Sequence, residues 1–511
     1  MNGKNAWKKA GPLLAVLMAL VLVPGACLSR TAGFTSQAAA AKEQVLTLRV
    51  CNWEEYMDLG EWDPEEETID LESGDILGEL PLYEEFEDWY YENYGQRVEV
   101  EYSCFGTNEE LYNMLTLGDV YDLVCPSEYM IMKLMSEDQL VPYSAGFFEE
   151  SDPLNYYERN VSPFIRETFE THEIDGQSWS RYAAGYMWGV TGFLYNPEEV
   201  SEEDVSTWAL LSNPDYFRQV TIKDNVRDAY FAALGAIRHD QLTDAAFLAA
   251  GDYPEALERT MNDVSQETIG EVQDYLQSVK DNAYSFETDS GKADMITGKV
   301  LANLQWSGDA VYAMDQAEED DFYLNFAVPE EVTNLWFDGW VMLRRGISED
   351  PAKQQAAEAF VNFLSMPENA VRNMYYIGYT SVISGGVDGD QVFEYLDWTY
   401  GAEEDEEETV DYEVGYFFDP EADPSEYTIT VPADQVQRQL FAQYPPADVI
   451  GRSSIMQYFD GDANAAINRM WINVRCYNLN KVPVFGRVLL ALLLCAVVAG
   501  LFVMRRKGRK R

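Results

Sequence analysis

Between Leu46 and Cys125 the chain alternates between two hydrophobic periods, and that alternation limits the folds open to it. Leu46, Leu48 and Val50 read as a short buried strand, which stops at Trp53, Glu54, Glu55 and Tyr56. Leu82, Phe86, Trp89 and Tyr90 then recur at helical spacing, predicting a helix over Leu82–Tyr94 that Gly95 ends. Val98–Cys104 alternates as a second strand. Asn108 opens another helix with Leu111, Met114 and Leu115 inward, and Asp122–Cys125 is a third strand stopped by Pro126 and Ser127. Strand, helix, strand, helix, strand implies a parallel sheet flanked by helices.

A second α/β region runs from about Gly189 to Trp306. It holds a strand at Val220–Ile222, helices at Arg227–Ile237 and near Glu267–Val279, and a strand at Val300–Trp306. Later strands are expected around Phe326 and Trp340, and a helix over Ala352–Leu364. Two stretches, Asp58–Glu79 and Ala402–Tyr427, are acidic and broken by proline or glycine. They read as inserted loops, the second as an insertion or mobile loop. At the N-terminus, Lys4, Lys8 and Lys9 precede an apolar run and then small residues, the layout of a secretory signal. Cys27 leaves cleavage, lipidation and a retained anchor open. At the other end, 482–504 reads as a transmembrane helix, and the basic residues at 505–511 place that tail on the cytoplasmic side. The body between them is then extracytoplasmic.

The formal net charge is −54, from 89 acids against 35 bases. Such a chain repels nucleic acid and favours cationic partners. A hydrophobic content of 47% and an aromatic content of 14% exclude a disordered chain. The six cysteines show no CxxC and no metal spacing, and a disulfide is left unassigned. With His172 and His239 as the two histidines, a histidine-based zinc site or a Ser-His-Asp triad is disfavoured. No nucleophile elbow, phosphate loop or zinc motif occurs, so neither enzymatic activity nor a cofactor or metal is expected.

Chemistry gathers instead at strand ends. Trp53, Glu54 and Glu55 end the first strand, and Ser127, Glu128 and Tyr129 follow the third. Asn225 and Asp228 follow the Val220–Ile222 strand. Trp306 and Asp309 close another, and Trp336 and Asp338 enter a later one. Aromatic faces attract ammonium groups, and open α/β sheets bind ligands at the carboxyl ends of their strands. The pattern suits an organic cation.

These motifs resemble the spermidine/putrescine-binding proteins of ATP-driven uptake systems. The resemblance covers about Val45 to Arg475. It rests on Asn52-Trp-Glu-Glu-Tyr, Tyr121-Asp-Leu-Val-Cys-Pro-Ser, Tyr186-Met-Trp-Gly, Trp208 with Asn213-Pro-Asp-Tyr, Trp306-Ser-Gly-Asp-Ala and Ile377-Gly-Tyr. It implies an α/β, two-lobed periplasmic-binding-protein-like fold of type II that closes on its ligand. Residues 43–185 would form the first part of lobe 1 and 186–306 that of lobe 2. Residues 307–350 would return to lobe 1, and 351–480 would complete lobe 2, with the insertion at 402–427. The partners implied are a polyamine, permease subunits with a cytoplasmic ATPase, and the membrane.

The resemblance also implies roles. Trp53, Tyr129, Trp306 and Trp336 would line the methylene chain. Glu55 and Ser127 would meet one terminal amine, and Asp309 and Asp338 would pair with amines deeper in. Asp228 matches a glutamate of spermidine binders and Asn225 an aspartate, a lost charge that Glu54 would restore. Putrescine and spermidine both stay open as ligand. A binding protein for another organic cation, or a secreted acidic hydrolase, are the alternative readings.

Overall fold

The computed structural model describes residues 45–64, 67–403 and 406–476. The expected signal segment at 1–42, the transmembrane helix at 482–504 and the basic tail at 505–511 lie outside the described residues. Within them, no helix is long and apolar enough to cross a membrane. Cys51, Cys104, Cys125 and Cys476 are free thiols, while Cys27 and Cys495 fall outside.

In chain order, the elements that matter are β1 (Leu46–Trp53), α1 (Leu82–Tyr94), β2 (Val98–Phe105), α2 (Asn108–Leu117), β3 (Leu123–Val124), α3 (Glu128–Ser136) and β4 (Ala183–Tyr195). They continue with β5 (Val220–Lys223), α4 (Val226–Ile237), α5 (Gln266–Asn282), β6 (Ser285–Glu287), β7 (Ala302–Trp306) and α6 (Ser307–Glu318). The last are β8 (Thr333–Leu343), α7 (Pro351–Leu364), α8 (Pro367–Ile377) and α9 (Gly461–Cys476). The helix expected at 82–94 forms over those residues, and Gly95 ends it in the left-handed region at φ 68°, its N–H returning to the Tyr91 carbonyl. Thr107 caps α2 by accepting from the Glu110 N–H.

The chain divides into two compact units. Among the described residues, the first comprises 45–190, 306–326 and 335–450, and the second 191–305, 327–334 and 451–476. In the first unit β1 pairs in parallel with β2, from Leu46 opposite Val98 to Trp53 opposite Phe105, and with β3 through Val50 and Leu123. Strand β8 then runs antiparallel to β3 and to β4. Its register shifts between Asp338 and Gly339, an irregularity of the kind that re-aims side chains beside functional sites.

Residues 351–450 pack in the first unit, whereas the sequence grouped 351–480 with the second lobe. Packing explains the difference. Phe360 and Phe363 of α7 close on Phe86 of α1, with ring centroids 5.0 and 5.8 Å apart. Helical periodicity shows which face is buried but not what covers it.

The two acidic insertions are also more ordered than loops. Ile69–Leu71 pairs with Gly74–Ile76, and Thr409–Glu413 pairs with Thr428–Pro432. In the second hairpin Tyr412, Ile429 and Val431 turn inward and the acids outward, as a half-buried strand requires. The second unit carries its own parallel sheet, β6–β5–β7. Its core gathers Phe193, Trp208, Ile222, Phe231, Leu276 and Ile467.

Candidate functional site

The first unit gathers Ser127 and Tyr129 around one buried carboxylate, Asp338, and links Asp309 and Trp336 to it through Tyr56 and Tyr379. Asp338 is 6% exposed. Its Oδ1 accepts from the Ser127 hydroxyl and its Oδ2 from the Tyr56 hydroxyl, each at 2.7 Å. Ser127 stands where a cap for α3 would stand, but its hydroxyl makes no capping bond. It is spent on Asp338 instead. Asn108 of α2 fixes that choice: its Nδ2 donates to Ser127 Oγ and to the Tyr129 hydroxyl oxygen, both at 3.0 Å, and its Oδ1 accepts from the Ser127 N–H at 3.1 Å. With its lone pairs engaged by Asn108, Ser127 Oγ turns its own hydrogen to the carboxylate. Tyr129 donates onward to Glu109 at 3.3 Å.

Tyr56 links this group to a second acid. Its ring meets the Tyr379 ring edge-on at 4.8 Å, and the Tyr379 hydroxyl donates to Asp309 Oδ1 at 2.8 Å. Asp309 is itself 6% exposed, in the first turn of α6. Trp336 lies 5.8 Å from Tyr379 and is buried on β8 opposite Gly189. A methyl group at Gly189 would collide with Trp336, and one at Gly308 with Tyr379, so both glycines are close-approach positions for the rings. Gly378, at φ 75°, ends α8 and delivers Tyr379.

Burial pushes the Asp338 carboxyl up to about 6, against the opposing pull of its bonds from Ser127 and Tyr56. Burial likewise holds the Tyr56 phenol well above its ordinary value. Both oxygens of Asp338 are thus held by neutral hydroxyls rather than by a basic side chain. A buried carboxylate is normally paired. A carboxylate with aromatic rings beside it combines the two kinds of group that attract an organic cation.

The remaining expected residues are distributed as follows. Trp53 ends β1 half-buried, its ring 4.7 Å from Phe105. Glu54 and Glu55 are exposed in the turn after it, with Glu55 at φ 54°. Trp306 is half-buried at the end of β7. In the second unit Asn225 caps α4, its Oδ1 accepting from the Arg227 N–H at 2.8 Å, and Asp228 is 5% exposed in the first turn.

Three residues of the array were not on the expected roll: Tyr56, Asn108 and Tyr379. The first and last lie inside the recognised motifs Asn52-Trp-Glu-Glu-Tyr and Ile377-Gly-Tyr, so the signal for them was present. Asn108 had none beyond its place at the start of a helix.

With this geometry in place, the chain belongs to the bacterial extracellular solute-binding protein family, whose model matches residues 82–395. It is 25% identical over 285 residues to the putrescine-binding periplasmic protein PotF of Escherichia coli K12, a match covering 53% of this chain and 67% of that protein. To the spermidine/putrescine-binding periplasmic protein of the same organism it is 24% identical over 285 residues, covering 55% and 70%. Among solved structures it is similar to the spermidine/putrescine substrate-binding protein PotD of Streptococcus pneumoniae, at a TM-score of 0.53 and 21% identity over 84% of this chain and 99% of that one. The TpPotD lipoprotein of Treponema pallidum gives 0.54 and 16%, with the same coverage. These structural likenesses establish an α/β, two-domain fold of the periplasmic-binding-protein kind.

Proposed function

We propose that this chain is the extracytoplasmic substrate-binding component of a polyamine importer, non-enzymatic, capturing putrescine or spermidine for a permease driven by a cytoplasmic ATPase. The observation that carries the reading is Asp338, a buried carboxylate held by two hydroxyls beside Tyr56, Tyr379 and Trp336, with Asp309 accepting from the Tyr379 hydroxyl nearby. A polyamine is a flexible alkyl chain bearing separated cations. It needs separate carboxylates for its charges and flat rings for its methylenes. Desolvated cation–π contacts contribute about 2 kcal/mol each and charge-assisted hydrogen bonds about 1.5–3 kcal/mol. Two or three of each offset the ordering cost and give about micromolar affinity. The names of PotF and of the other relatives support the same ligand class.

In this reading Ser127, Tyr129, Asp309, Trp336 and Asp338 are binding residues of the first unit, joined by Tyr56 and Tyr379, and Trp53, Glu54, Glu55 and Trp306 keep the ligand-binding roles that the resemblance implies. The apolar segment 482–504 anchors the body to the membrane, with 505–511 on the cytoplasmic side. Titration calorimetry with putrescine, spermidine and choline tests the proposal. A polyamine should bind at about micromolar Kd, and choline, which offers a single charge, should bind far more weakly. Equal binding of all three, or of none, would defeat it.

A further inference from the structure

The acidic stretch after Tyr56 reads in the sequence as an inserted loop, yet its first acid is among the most enclosed groups of the first unit. Asp58 is fully buried and Arg372 of α8 is 2% exposed. The Arg372 guanidinium spreads over three partners: Nε donates to Asp58 Oδ2, Nη1 to Glu85 at 2.9 Å, and Nη2 to the Leu80 carbonyl. The other oxygen of Asp58 accepts from the Gly60 N–H at 2.8 Å and from the Trp62 indole at 3.0 Å. The Asp58 N–H donates to the side chain of Asn373, the neighbour of Arg372, at 2.9 Å. One guanidinium therefore closes the insertion on itself, from Asp58 to Leu80, and fastens it to α8.

Both sides of this clasp lead directly into the site. Tyr56 stands two positions before Asp58, and its carbonyl is held by Asn52 at 3.2 Å and by the Tyr186 hydroxyl at 2.8 Å. On the other side, α8 runs from Arg372 to Ile377, and the left-handed turn at Gly378 presents Tyr379. The two rings that the clasp brackets are the edge-on pair whose hydroxyls hold Asp338 and Asp309. We infer that Asp58 and Arg372 are positioning residues for the ligand site: the clasp sets the Tyr56–Tyr379 ring pair and with it the placement of the two acceptor carboxylates, which makes the insertion an affinity-determining element. The planar fork of arginine suits this task, because its donors aim at three separated acceptors from one rigid plane, whereas the three donors of an ammonium rotate about a single nitrogen on a flexible stem.

The inference rests on the proposed cation site, so its test has one readout that needs the ligand and one that does not. In the full-length protein, Arg372→Lys keeps the charge against Asp58 but loses the fork. It should weaken putrescine binding about tenfold and speed amide exchange in both 54–58 and 377–381. Ile165→Val, in the same unit's core, should lower the melting temperature without either effect. In a double-mutant cycle, Arg372→Lys and Tyr56→Phe should be less than additive in affinity. Affinity within about twofold of wild type in Arg372→Lys, or full additivity with Tyr56→Phe, overturns the inference. If the wild type binds no amine, the site reading fails and the exchange data alone decide: faster exchange at 377–381 supports the clasp, and unchanged exchange overturns it. Should Arg372→Lys not fold, Glu85→Ala removes one arm and carries the same test with a loss of about threefold.

Discussion

Two buried aspartates of the first unit are held in opposite ways. Asp58 faces the Arg372 guanidinium, with backbone and indole N–H groups on its other oxygen. Asp338 faces two neutral hydroxyls. Asp58 carries its own counter-charge and builds structure. Asp338 is also buried but its side chain accepts from two hydroxyls, and burial raises it to about 6. In the second unit two buried acids share the first pattern: Glu287 lies 3.6 Å from Lys223, and Asp294 lies 2.7 Å from Lys299. The manner of neutralisation, rather than burial or charge count, distinguishes these two aspartates.

The largest effect that can break this contrast is on stability. Asp58→Ala leaves Arg372 buried with only the half-exposed Glu85 as a charged partner. It should cost about 3–5 kcal/mol in denaturant unfolding, and a loss below about 1 kcal/mol would remove Asp58 from the structural side of the comparison. Next comes Asp338→Asn, expected to cost about 2–4 kcal/mol of ligand binding by calorimetry. The unliganded protein should meanwhile melt at the same temperature or higher at neutral pH. The sign follows from the raised carboxyl. Its folded value lies above the unfolded one, so its contribution to stability is present at low pH and lost as pH rises through about 6. Trp336→Leu should cost about 1–2 kcal/mol of binding with little change between amines, as for a lost ring face. Smallest is Asn225→Ala in the second unit, which removes the α4 cap and should lower stability by about 1 kcal/mol.

Much of the fold was written in local periodicity. Leu82, Phe86 and Tyr90 specify α1 because helical spacing puts them on one buried face. The alternation from Leu46 to Cys125 specifies β1, β2 and β3 in parallel. The antiparallel entry of β8 was not legible, since a fully buried strand shows no alternation and names no partner. The hairpin at Ile69–Ile76 was hidden because its strands are three residues long and rich in acids. For the site, acid and aromatic residues at strand ends were visible, and Ser127, Asp309, Trp336 and Asp338 are placed in the array or beside it. Tyr56 was overshadowed by the two glutamates before it. What brings it inward is the turn through Glu55 at φ 54°, a backbone property that residue type alone does not announce. Asn108 works only through contacts with Ser127 and Tyr129, close in sequence but joined by the sheet.

The central claim is that Asp338 is a carboxylate prepared for a cation. Calorimetry of putrescine binding at pH about 6, in two buffers of different ionisation enthalpy, counts the protons exchanged on binding. The wild type should release about half a proton, because the cation favours the ionised carboxylate, and Asp338→Asn should release almost none. Proton-neutral binding in the wild type, or an Asp338→Asn variant that binds as tightly and releases as many protons, would contradict the account.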